Sequence, residues 1–220
     1  MSVWESEKQS VLDAARKMVQ QGFVVGTSGN VSVRLRDTDG RDLIAITPTG
    51  CHYDLLNTSD MVVADFDGVR LEGEISPSIE MMLHLGIYRA RNRVNAVIHT
   101  HPAFGGVLSV MGIEIPSILD DQVTYLGGDI KIAPYALPGS KELVQNVVSA
   151  LGPRNAVILA NHGALAVGRD LREAYTNCEM LEKTARTYIY ALALKKVNLL
   201  PPEALELEQA YFNYQFGEDH

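Results

Sequence analysis

Apolar side chains recur every three or four residues in several stretches of this chain, which is the spacing of one buried helix face. Residues 5–21 form the first predicted helix, and Gly22 is a typical C-terminal stop for it. Ser140 caps another helix that continues to Leu151, and residues 171–196 form the longest predicted helix. These stretches predict amphipathic helices that each bury one face against the rest of the protein.

A further helix is predicted around the middle of the chain. Ser76 and Pro77 are typical of a helix start, and they predict a helix that runs to about Asn92. Glu80 and His84 are four residues apart in that stretch, so they lie on one helix face. The remaining predicted helices are residues 103–111 and a short acidic stretch after residues 201–202, which leads into an aromatic tail at residues 211–214.

Alternation of apolar and polar residues predicts strands, two pairs of which are joined as hairpins by Asp-Gly turns. In the first strand, three apolar residues alternate with Ser32, Arg34 and Arg36, which predicts one buried face and one solvated face. The predicted strands are residues 31–36, 43–46, 61–66, 69–71, 96–101, 113–118, 130–133, 157–160 and 165–167.

Hairpins mixed with helices at irregular intervals indicate an α/β protein with a largely antiparallel sheet covered by helices. The order of elements contains no run of repeated βαβ units. No stretch rich in proline, glycine or serine divides the chain, so residues 1–220 are predicted to form one domain. Residues 198–220 are predicted to be a C-terminal tail segment of that domain.

Composition excludes several classes of function. The 220 residues are 46% hydrophobic and carry a net charge of −8, which argues against a nucleic-acid partner. An anionic small molecule remains compatible with an acidic protein, because a local pocket can be positive. The two cysteines form no metal or redox motif, the N-terminus shows no signal-peptide pattern, and no apolar run is long enough for a membrane span. We therefore expect a cytoplasmic protein with no membrane partner.

Three histidines and one carboxylate form a candidate metal site. His99 and His101 lie two apart in a predicted strand, so they project from the same face. His162 follows a buried apolar strand, and Glu80 lies on the helix described above. Three nitrogen ligands with one open position are typical of a catalytic metal site, where a divalent ion polarises a carbonyl and stabilises an enediolate. The simpler alternative is two unrelated histidines on a surface strand and a third in a turn, bonded to the backbone.

Small residues in three loops form a candidate anion site. Glycine lets backbone amides approach an oxyanion, and asparagine, serine and threonine add side-chain donors. Ordinary turn chemistry explains the same residues, because these types also dominate turns. The loop residues concerned are Gly29, Asn30, Thr49, Gly50, Ser76 and Ser78.

Taken together, these motifs resemble the class II aldolase/adducin family, and within it the small bacterial ketose-1-phosphate aldolases, the L-fuculose-1-phosphate aldolases among them. The resemblance extends from about Trp4 to Leu194. The motifs that carry it, in order, are Gly29-Asn30-Val31-Ser32, Ile46-Thr47-Pro48-Thr49-Gly50, Pro77-Ser78-Ile79-Glu80, His99-Thr100-His101 and Asn161-His162-Gly163.

The resemblance implies a role for each motif. His99, His101 and His162 correspond to the ligands of a zinc ion, for which manganese, cobalt or iron are alternatives. Glu80 corresponds to the catalytic acid/base, which also touches the metal. The resemblance also implies a three-layer αβα sandwich with a mixed, mainly antiparallel sheet, and a homotetramer in which a neighbour's C-terminal tail supplies a tyrosine to each site. The residues that correspond to the substrate's phosphate site are Gly29, Asn30, Thr49, Gly50 and Ser78.

Two departures from the family pattern concern the substrate. Ile79 stands where fuculose aldolases have a second phosphate-binding serine, and Asp120 falls near the position of the tyrosine that protonates the leaving aldehyde. Tyr125 is nearby but offset, and Tyr211 or Tyr214 is a candidate for the tail tyrosine. Simple packing of an aromatic tail is the alternative for the last two.

The predicted function is reversible, metal-dependent cleavage of a ketose or deoxyketose 1-phosphate to dihydroxyacetone phosphate and an aldehyde. The substrate types that we expect are L-fuculose, 5-deoxyribulose and 5-methylthioribulose 1-phosphates. Glu80 favours this over the related 4-epimerases, which carry aspartate at that place. A decarboxylase, a dehydratase or a 4-epimerase on the same scaffold is the main alternative, since all need the same type of carbanion. A non-catalytic, adducin-like binding module is a further alternative, although such modules tend to lose the ligands that this chain keeps.

Overall fold

A computed structural model describes residues 3–217. The helices are α1 (Glu5–Gln20), α2 (Met81–Ala90), α3 (Ala103–Met111), α4 (Asp120–Leu126), α5 (Lys141–Leu151), α6 (Leu171–Ala193) and α7 (Pro202–Phe216). The strands are β1 (Asn30–Arg36), β2 (Asp42–Ile46), β3 (Val62–Asp65), β4 (Arg70–Glu72), β5 (Ala96–Thr100), β6 (Ile132–Ala133), β7 (Ala156–Leu159) and β8 (Gly163–Gly168).

The eight strands form one sheet in the order β4-β3-β2-β1-β5-β8-β7-β6. All neighbours are antiparallel except β6 and β7, which are parallel. One core lies between the sheet and helices α1, α3, α4 and α6, and a second lies between the other face and helices α2 and α5. The predicted fold class, a three-layer αβα arrangement around a mainly antiparallel sheet, is therefore confirmed.

The N-terminal half of β1 is covered on both faces, which differs from the predicted half-buried strand, whereas Arg36 near its other end is exposed. Val31 and Leu35 pack into the first core, as their spacing predicts. Ser32, on the opposite face, is fully buried because α2 covers it. Its hydroxyl is within hydrogen-bonding distance of His84 and Tyr88, both on α2. The polar face of β1 is thus an internal polar layer near its N-terminal end.

Helix α2 begins later than its sequence predicts. Pro77 does not start the helix but pairs with Pro48 in an isolated bridge. The amide of Ser78 donates to the Thr47 carbonyl, and the amide of Thr49 donates to the Ser76 carbonyl. This extended pairing holds the loop before α2 against the loop after β2, so Glu80 becomes the residue that precedes the first helical turn.

The segment between α3 and α5 was also predicted incorrectly. Residues 113–118 form no regular strand and share only one bridge, between Ile115 and Ile130. Helix α4, which the sequence pattern did not predict, follows directly. The buried Gln122 side chain accepts from the Ile118 amide and donates to the Pro116 and Gly128 carbonyls. Those side-chain bonds satisfy backbone groups that a strand ladder would otherwise pair.

The C-terminal region is more helical than predicted. Helix α7 includes the aromatic stretch that was predicted to be a tail, and Phe212 from this helix is buried. A side chain at Gly127 would collide with the Phe212 ring, so glycine permits the close contact between α4 and α7. Of the predicted domain and its tail, residues 1–2 and 218–220 lie outside the described part. Within residues 3–217, no helix has the length and apolar character that crossing a membrane requires.

Candidate active site

Three histidines meet at one end of the sheet. His99 is near the end of β5, His101 follows that strand, and His162 precedes β8, the strand that pairs with β5. The His99 Nε2 and His101 Nε2 atoms are 3.0 Å apart. One ring nitrogen from each of the three residues lies within 4.8 Å of the others. The structure thus brings together the three residues that the sequence predicts as ligands.

The backbone fixes which nitrogen of His99 faces the cluster. His99 Nδ1 is 3.0 Å from the Ala164 carbonyl oxygen, which can only accept a hydrogen bond. Nδ1 of a neutral His99 therefore carries the proton, and Nε2 presents a lone pair toward His101. This is the common arrangement of a metal-binding histidine, whose second nitrogen is held by a carbonyl or carboxylate.

Tight packing around Gly163 positions His162. Asn161 has a φ of 53° and turns the chain sharply at this point. The His162 amide donates to Ser109 Oγ, which itself donates to the Leu159 carbonyl. A Cβ on Gly163 would lie 2.3 Å from the Thr100 oxygen and 2.9 Å from His101 Cδ2. Only glycine leaves room here for the three imidazoles to converge.

The Glu80 carboxylate is buried next to the histidines. Its Oε2 atom is 3.3 Å from His99 Nε2, and its Oε1 atom is 3.7 Å from His162 Nε2. Asn30 Nδ2 donates to Oε2 at 2.9 Å. In the neutral tautomer described above, His99 Nε2 carries no proton. A lone pair of His99 Nε2 therefore faces a lone pair of Glu80 Oε2 across 3.3 Å. A cation between them would remove that conflict.

The local environment favours neutral rings at His101 and His162 and a charged carboxylate at Glu80. Burial opposes the charge on Glu80, but the adjacent His99 and the hydrogen bond from Asn30 outweigh it, so the pKa of the carboxyl lies below its usual range. Burial and then the neighbouring His99 lower the pKa of His101 to about 4. The same two causes lower the pKa of His162. Neutral imidazoles and an ionised carboxylate are the protonation states that bind a metal.

This donor set fits a divalent cation. Three imidazole nitrogens and a carboxylate are ligands that suit zinc and several other first-row metals. Glu80 Oε1 and His162 Nδ1 are buried and have no hydrogen-bond partner. An unsatisfied buried carboxylate oxygen is costly, and coordination to an ion would satisfy it. His99, His101, His162 and Glu80 are therefore the described residues that would hold a metal.

A chain of buried polar side chains lies behind Glu80. Asn30 Oδ1 is 2.5 Å from His84 Nε2, and His84 Nδ1 is 2.7 Å from Ser32 Oγ. Ser32 Oγ is in turn 2.7 Å from the Tyr88 hydroxyl. The sequence placed Glu80 and His84 on one helix face but did not identify Ser32 or Tyr88. The sequence signal for this hydrogen-bonded series is its spacing. Asn30 and Ser32 are two residues apart in a strand, and His84 and Tyr88 are four residues apart in a helix.

The small-residue loops of the predicted phosphate site lie beside this cluster. Gly29 has a φ of 73°, and a Cβ there would lie 2.7 Å from the His99 carbonyl oxygen. Gly50, also at positive φ, has open space around it. The amides of Thr49 and Ser78 already donate to carbonyls, and Ser78 Oγ accepts from the Glu80 amide. Thr49 and Ser78 could therefore offer a phosphate only their hydroxyl groups.

The three candidate tyrosines lie apart from the histidines. Asn155, which precedes β7, donates to the Tyr125 carbonyl, whereas His162 lies beyond the other end of that strand. A four-residue strand spans roughly 13 Å. Tyr211 and Tyr214 are exposed on α7. Among residues 3–217, no hydrogen bond involves the hydroxyl group of any of these three tyrosines.

Known proteins resemble this chain over most of its length. The model of the class II aldolase and adducin N-terminal domain matches residues 9–189. A 5-deoxy-D-ribulose 1-phosphate aldolase from Bacillus thuringiensis is 32% identical over 202 residues, which cover 92% of this chain and 93% of that protein. A 5-methylthioribulose-1-phosphate/5-deoxyribulose-1-phosphate aldolase from Rhodospirillum rubrum is 35% identical over 199 residues, or 90% of this chain and 87% of the relative.

One solved structure is similar to this chain in both fold and sequence. An L-fuculose 1-phosphate aldolase superposes with a TM-score of 0.88 at 35% identity, over 97% of this chain and 98% of the other. The chain therefore belongs to the class II aldolase and adducin family, and it is an aldolase-type enzyme. The resemblance inferred from the motifs and the prediction of an aldolase are both confirmed.

Proposed function

We propose that this protein is a divalent-metal-dependent aldolase that reversibly cleaves a deoxyketose 1-phosphate to dihydroxyacetone phosphate and an aldehyde. The observation that carries the proposal is the convergence of three histidine nitrogens on the buried Glu80 carboxylate. A divalent ion, when bound, supplies Lewis-acid polarisation of the substrate's carbonyl group. We assign His99, His101 and His162 as its ligands and zinc as its identity, with manganese, cobalt or iron as alternatives.

Glu80 is the proposed acid/base of the reaction. During cleavage a base removes the proton of the C4 hydroxyl, the bond between C3 and C4 breaks, and the electron pair remains on the C3 fragment. Glu80, which is ionised in the resting site, takes up one proton from solvent and delivers it to C3, which gives dihydroxyacetone phosphate. The base returns the C4 hydroxyl proton to solvent, so the cleavage involves no net gain or loss of protons. In the direction of condensation Glu80 removes the proton from C3 instead. Asn30 supports this role, because its amide N–H holds one carboxylate oxygen and leaves the other free to act.

The loops next to Glu80 are the proposed phosphate site. Gly29, Asn30, Gly50 and the hydroxyl groups of Thr49 and Ser78 would contact the phosphate there. The alignment of these loops by hydrogen bonds between them supports this assignment. Ile79 is exposed between Ser78 and Glu80, where it provides an apolar surface in place of a hydroxyl donor.

The names of two relatives and this departure at Ile79 support a proposal for the aldehyde. The relatives from B. thuringiensis and R. rubrum are named for 5-deoxyribulose 1-phosphate, and one also for the 5-methylthio compound. We propose a substrate of this 5-deoxy or 5-methylthio type, whose end opposite the phosphate is less polar than in most sugar phosphates.

The remaining features of the proposal concern the whole protein. We propose one domain, a homotetramer in the cytoplasm, and a tail residue of a neighbouring subunit that takes the C4 hydroxyl proton in cleavage and donates a proton to the aldehyde oxygen in condensation. Tyr211 and Tyr214 are exposed on α7 and fit that role better than Tyr125. If each site combines Glu80 of one chain with a tail tyrosine of its neighbour, two inactive variants should complement each other. Mixing the double variant Tyr211→Phe, Tyr214→Phe with Glu80→Gln would then restore activity, because a mixed tetramer contains sites with both groups intact.

A substrate screen tests the central claim. The metal-loaded protein is incubated with 5-deoxyribulose, 5-methylthioribulose, fuculose and ribulose 1-phosphates, and release of dihydroxyacetone phosphate is followed with and without a chelator. We expect cleavage of one of the first two compounds, lost with the chelator and restored by added zinc or manganese. Conversion of these compounds to a dehydrated product or to a 4-epimer, without dihydroxyacetone phosphate, would instead favour a dehydratase or a 4-epimerase.

A further inference from the structure

The hydrogen-bond chain behind Glu80 has one consistent direction. The Glu80 carboxylate only accepts hydrogen bonds, so Asn30 turns its NH₂ group toward it and its carbonyl oxygen toward His84. His84 Nε2 must then donate, and His84 Nδ1 of the neutral ring must accept from Ser32. The Tyr88 hydroxyl donates in turn to Ser32 Oγ. Each of the four contacts then joins a donor to an acceptor.

Burial makes that order rigid. Ser32, His84 and Tyr88 are 0% exposed and Asn30 is 4% exposed, so water does not compete for these groups. Burial lowers the pKa of His84 to about 3, so its ring is neutral at physiological pH. Reversing the Asn30 amide would bring its oxygen against the carboxylate and leave His84 Nε2 facing an amide N–H. Both contacts would be lost inside the protein, where unpaired polar groups are costly.

We infer that Ser32, His84 and Tyr88 are positioning residues, which fix the Asn30 amide and thereby hold Glu80 Oε2, so that Oε1 remains directed at the histidine cluster. The inference rests on the proposed role of Glu80 in aldol cleavage. None of the three residues touches the substrate or the metal. They act through Asn30, whose carbonyl oxygen they bind and whose amide they thereby hold in the one orientation that the carboxylate accepts.

Paired substitutions at His84 distinguish positioning from packing. His84→Leu fills the space but removes both ring nitrogens, whereas His84→Gln keeps an N–H that can reach the Asn30 oxygen. We expect His84→Leu to lower kcat about tenfold, with KM for 5-deoxyribulose 1-phosphate and metal content near wild-type values, and His84→Gln to restore most of the loss. The matched control is Thr184→Val, which removes a buried hydroxyl without a hydrogen-bond partner on α6 and should leave kcat and KM unchanged.

The tautomer of His84 provides a readout that needs no turnover. In ¹⁵N-histidine-labelled, metal-loaded protein we expect one ring, absent from the His84→Gln spectrum, with a protonated Nε2 and a bare Nδ1. In Ser32→Ala, which remains available if His84→Leu does not fold, the bare Nδ1 of this ring should lose its hydrogen bond, its ¹⁵N resonance should shift, and kcat should fall. A wild-type His84 with its proton on Nδ1, or equal kcat in His84→Leu and wild type, would overturn the inference. If wild-type protein cleaves no ketose phosphate, the proposed function fails, and the tautomer alone decides the positioning chain.

Discussion

The histidine end of the sheet and the helices that carry the candidate tyrosines differ in burial and in how their side chains are held. His99 and Glu80 are buried, within 4 Å of one another, and held by backbone carbonyls, Asn30 and close glycine contacts. Tyr211 and Tyr214 lie on a helix surface with exposed side chains. Contacts within one chain therefore fix the side chains of the histidine region. Within residues 3–217, no hydrogen bond fixes the hydroxyl groups of Tyr211 and Tyr214.

This difference divides the proposed reaction into two halves. The carbonyl and C3 half needs groups fixed in space before substrate arrives, because preorganised charges stabilise a developing anion best. The group that exchanges a proton with the aldehyde oxygen acts on the other half of the substrate, and in our proposal it belongs to a neighbouring subunit. We therefore expect substitutions in the histidine region to have large effects within one chain, and substitutions at Tyr125 to have little.

Removing a histidine should have the largest effect. His99→Ala deletes one of three nitrogen donors, and we expect it to lose its metal and at least about a hundredfold in kcat, more than loss of a residue that only supports a ligand. Elemental analysis and dihydroxyacetone phosphate release measure both. His52→Ala is the matched control, because this histidine is exposed and is not one of the three clustered histidines. Full metal occupancy in His99→Ala would refute the ligand assignment.

Replacing the carboxylate should separate chemistry from metal binding. Glu80→Gln keeps the shape and the oxygen next to Asn30 but cannot exchange a proton with C3, so we expect kcat to fall about a hundredfold or more while the three histidines retain the metal. Glu74→Gln is the control, since Glu74 is exposed in the preceding loop. Wild-type turnover by metal-replete Glu80→Gln would exclude Glu80 as the acid/base.

Two glycines compare a crowded position with an open one. A Cβ at Gly163 would press on the Thr100 oxygen and the His101 ring, and one at Gly106 in α3 meets nothing within 4 Å. We expect Gly163→Ala to lower the free energy of unfolding by about 1–3 kcal/mol and to weaken metal binding. Gly106→Ala should raise it by about 0.5–1 kcal/mol. Urea denaturation and metal titration measure these effects. Equal stability of the two variants would mean that packing at Gly163 does not constrain the cluster.

The histidine region was also the part that sequence predicts best. Strand alternation alone places His99 and His101 on one face, and the structure brings their nitrogens together. The approach of His162 depends on β8 pairing with β5, a contact between residues distant in sequence that no local pattern specifies. The family motifs supplied that information instead.

Polarity misled the interpretation where another element covers a strand. Ser32 follows the alternation of a solvated face, but α2 buries it in a hydrogen-bond chain. The pattern reports which side chains are polar and not what packs on them. Likewise, Ser76 and Pro77 are residues typical of a helix start. Their segment instead forms hydrogen bonds with the loop after β2, so α2 begins only at Met81.

The smallest effect is expected at Tyr125, and it tests the division most directly. Tyr125→Phe removes a hydroxyl that is exposed, makes no hydrogen bond among the described residues, and belongs to a residue held at the far end of β7. We expect kcat to change by less than about twofold, and the free energy of unfolding to change by less than about 0.5 kcal/mol. Steady-state assays at metal saturation, with urea denaturation of the same samples, measure both quantities. Leu137→Ala, an exposed residue in the loop before α5, is a control for general surface changes. A tenfold loss in kcat from Tyr125→Phe alone would bring the aldehyde's proton donor into the same chain as the histidines. The tail of a neighbour would then not be needed to complete the site.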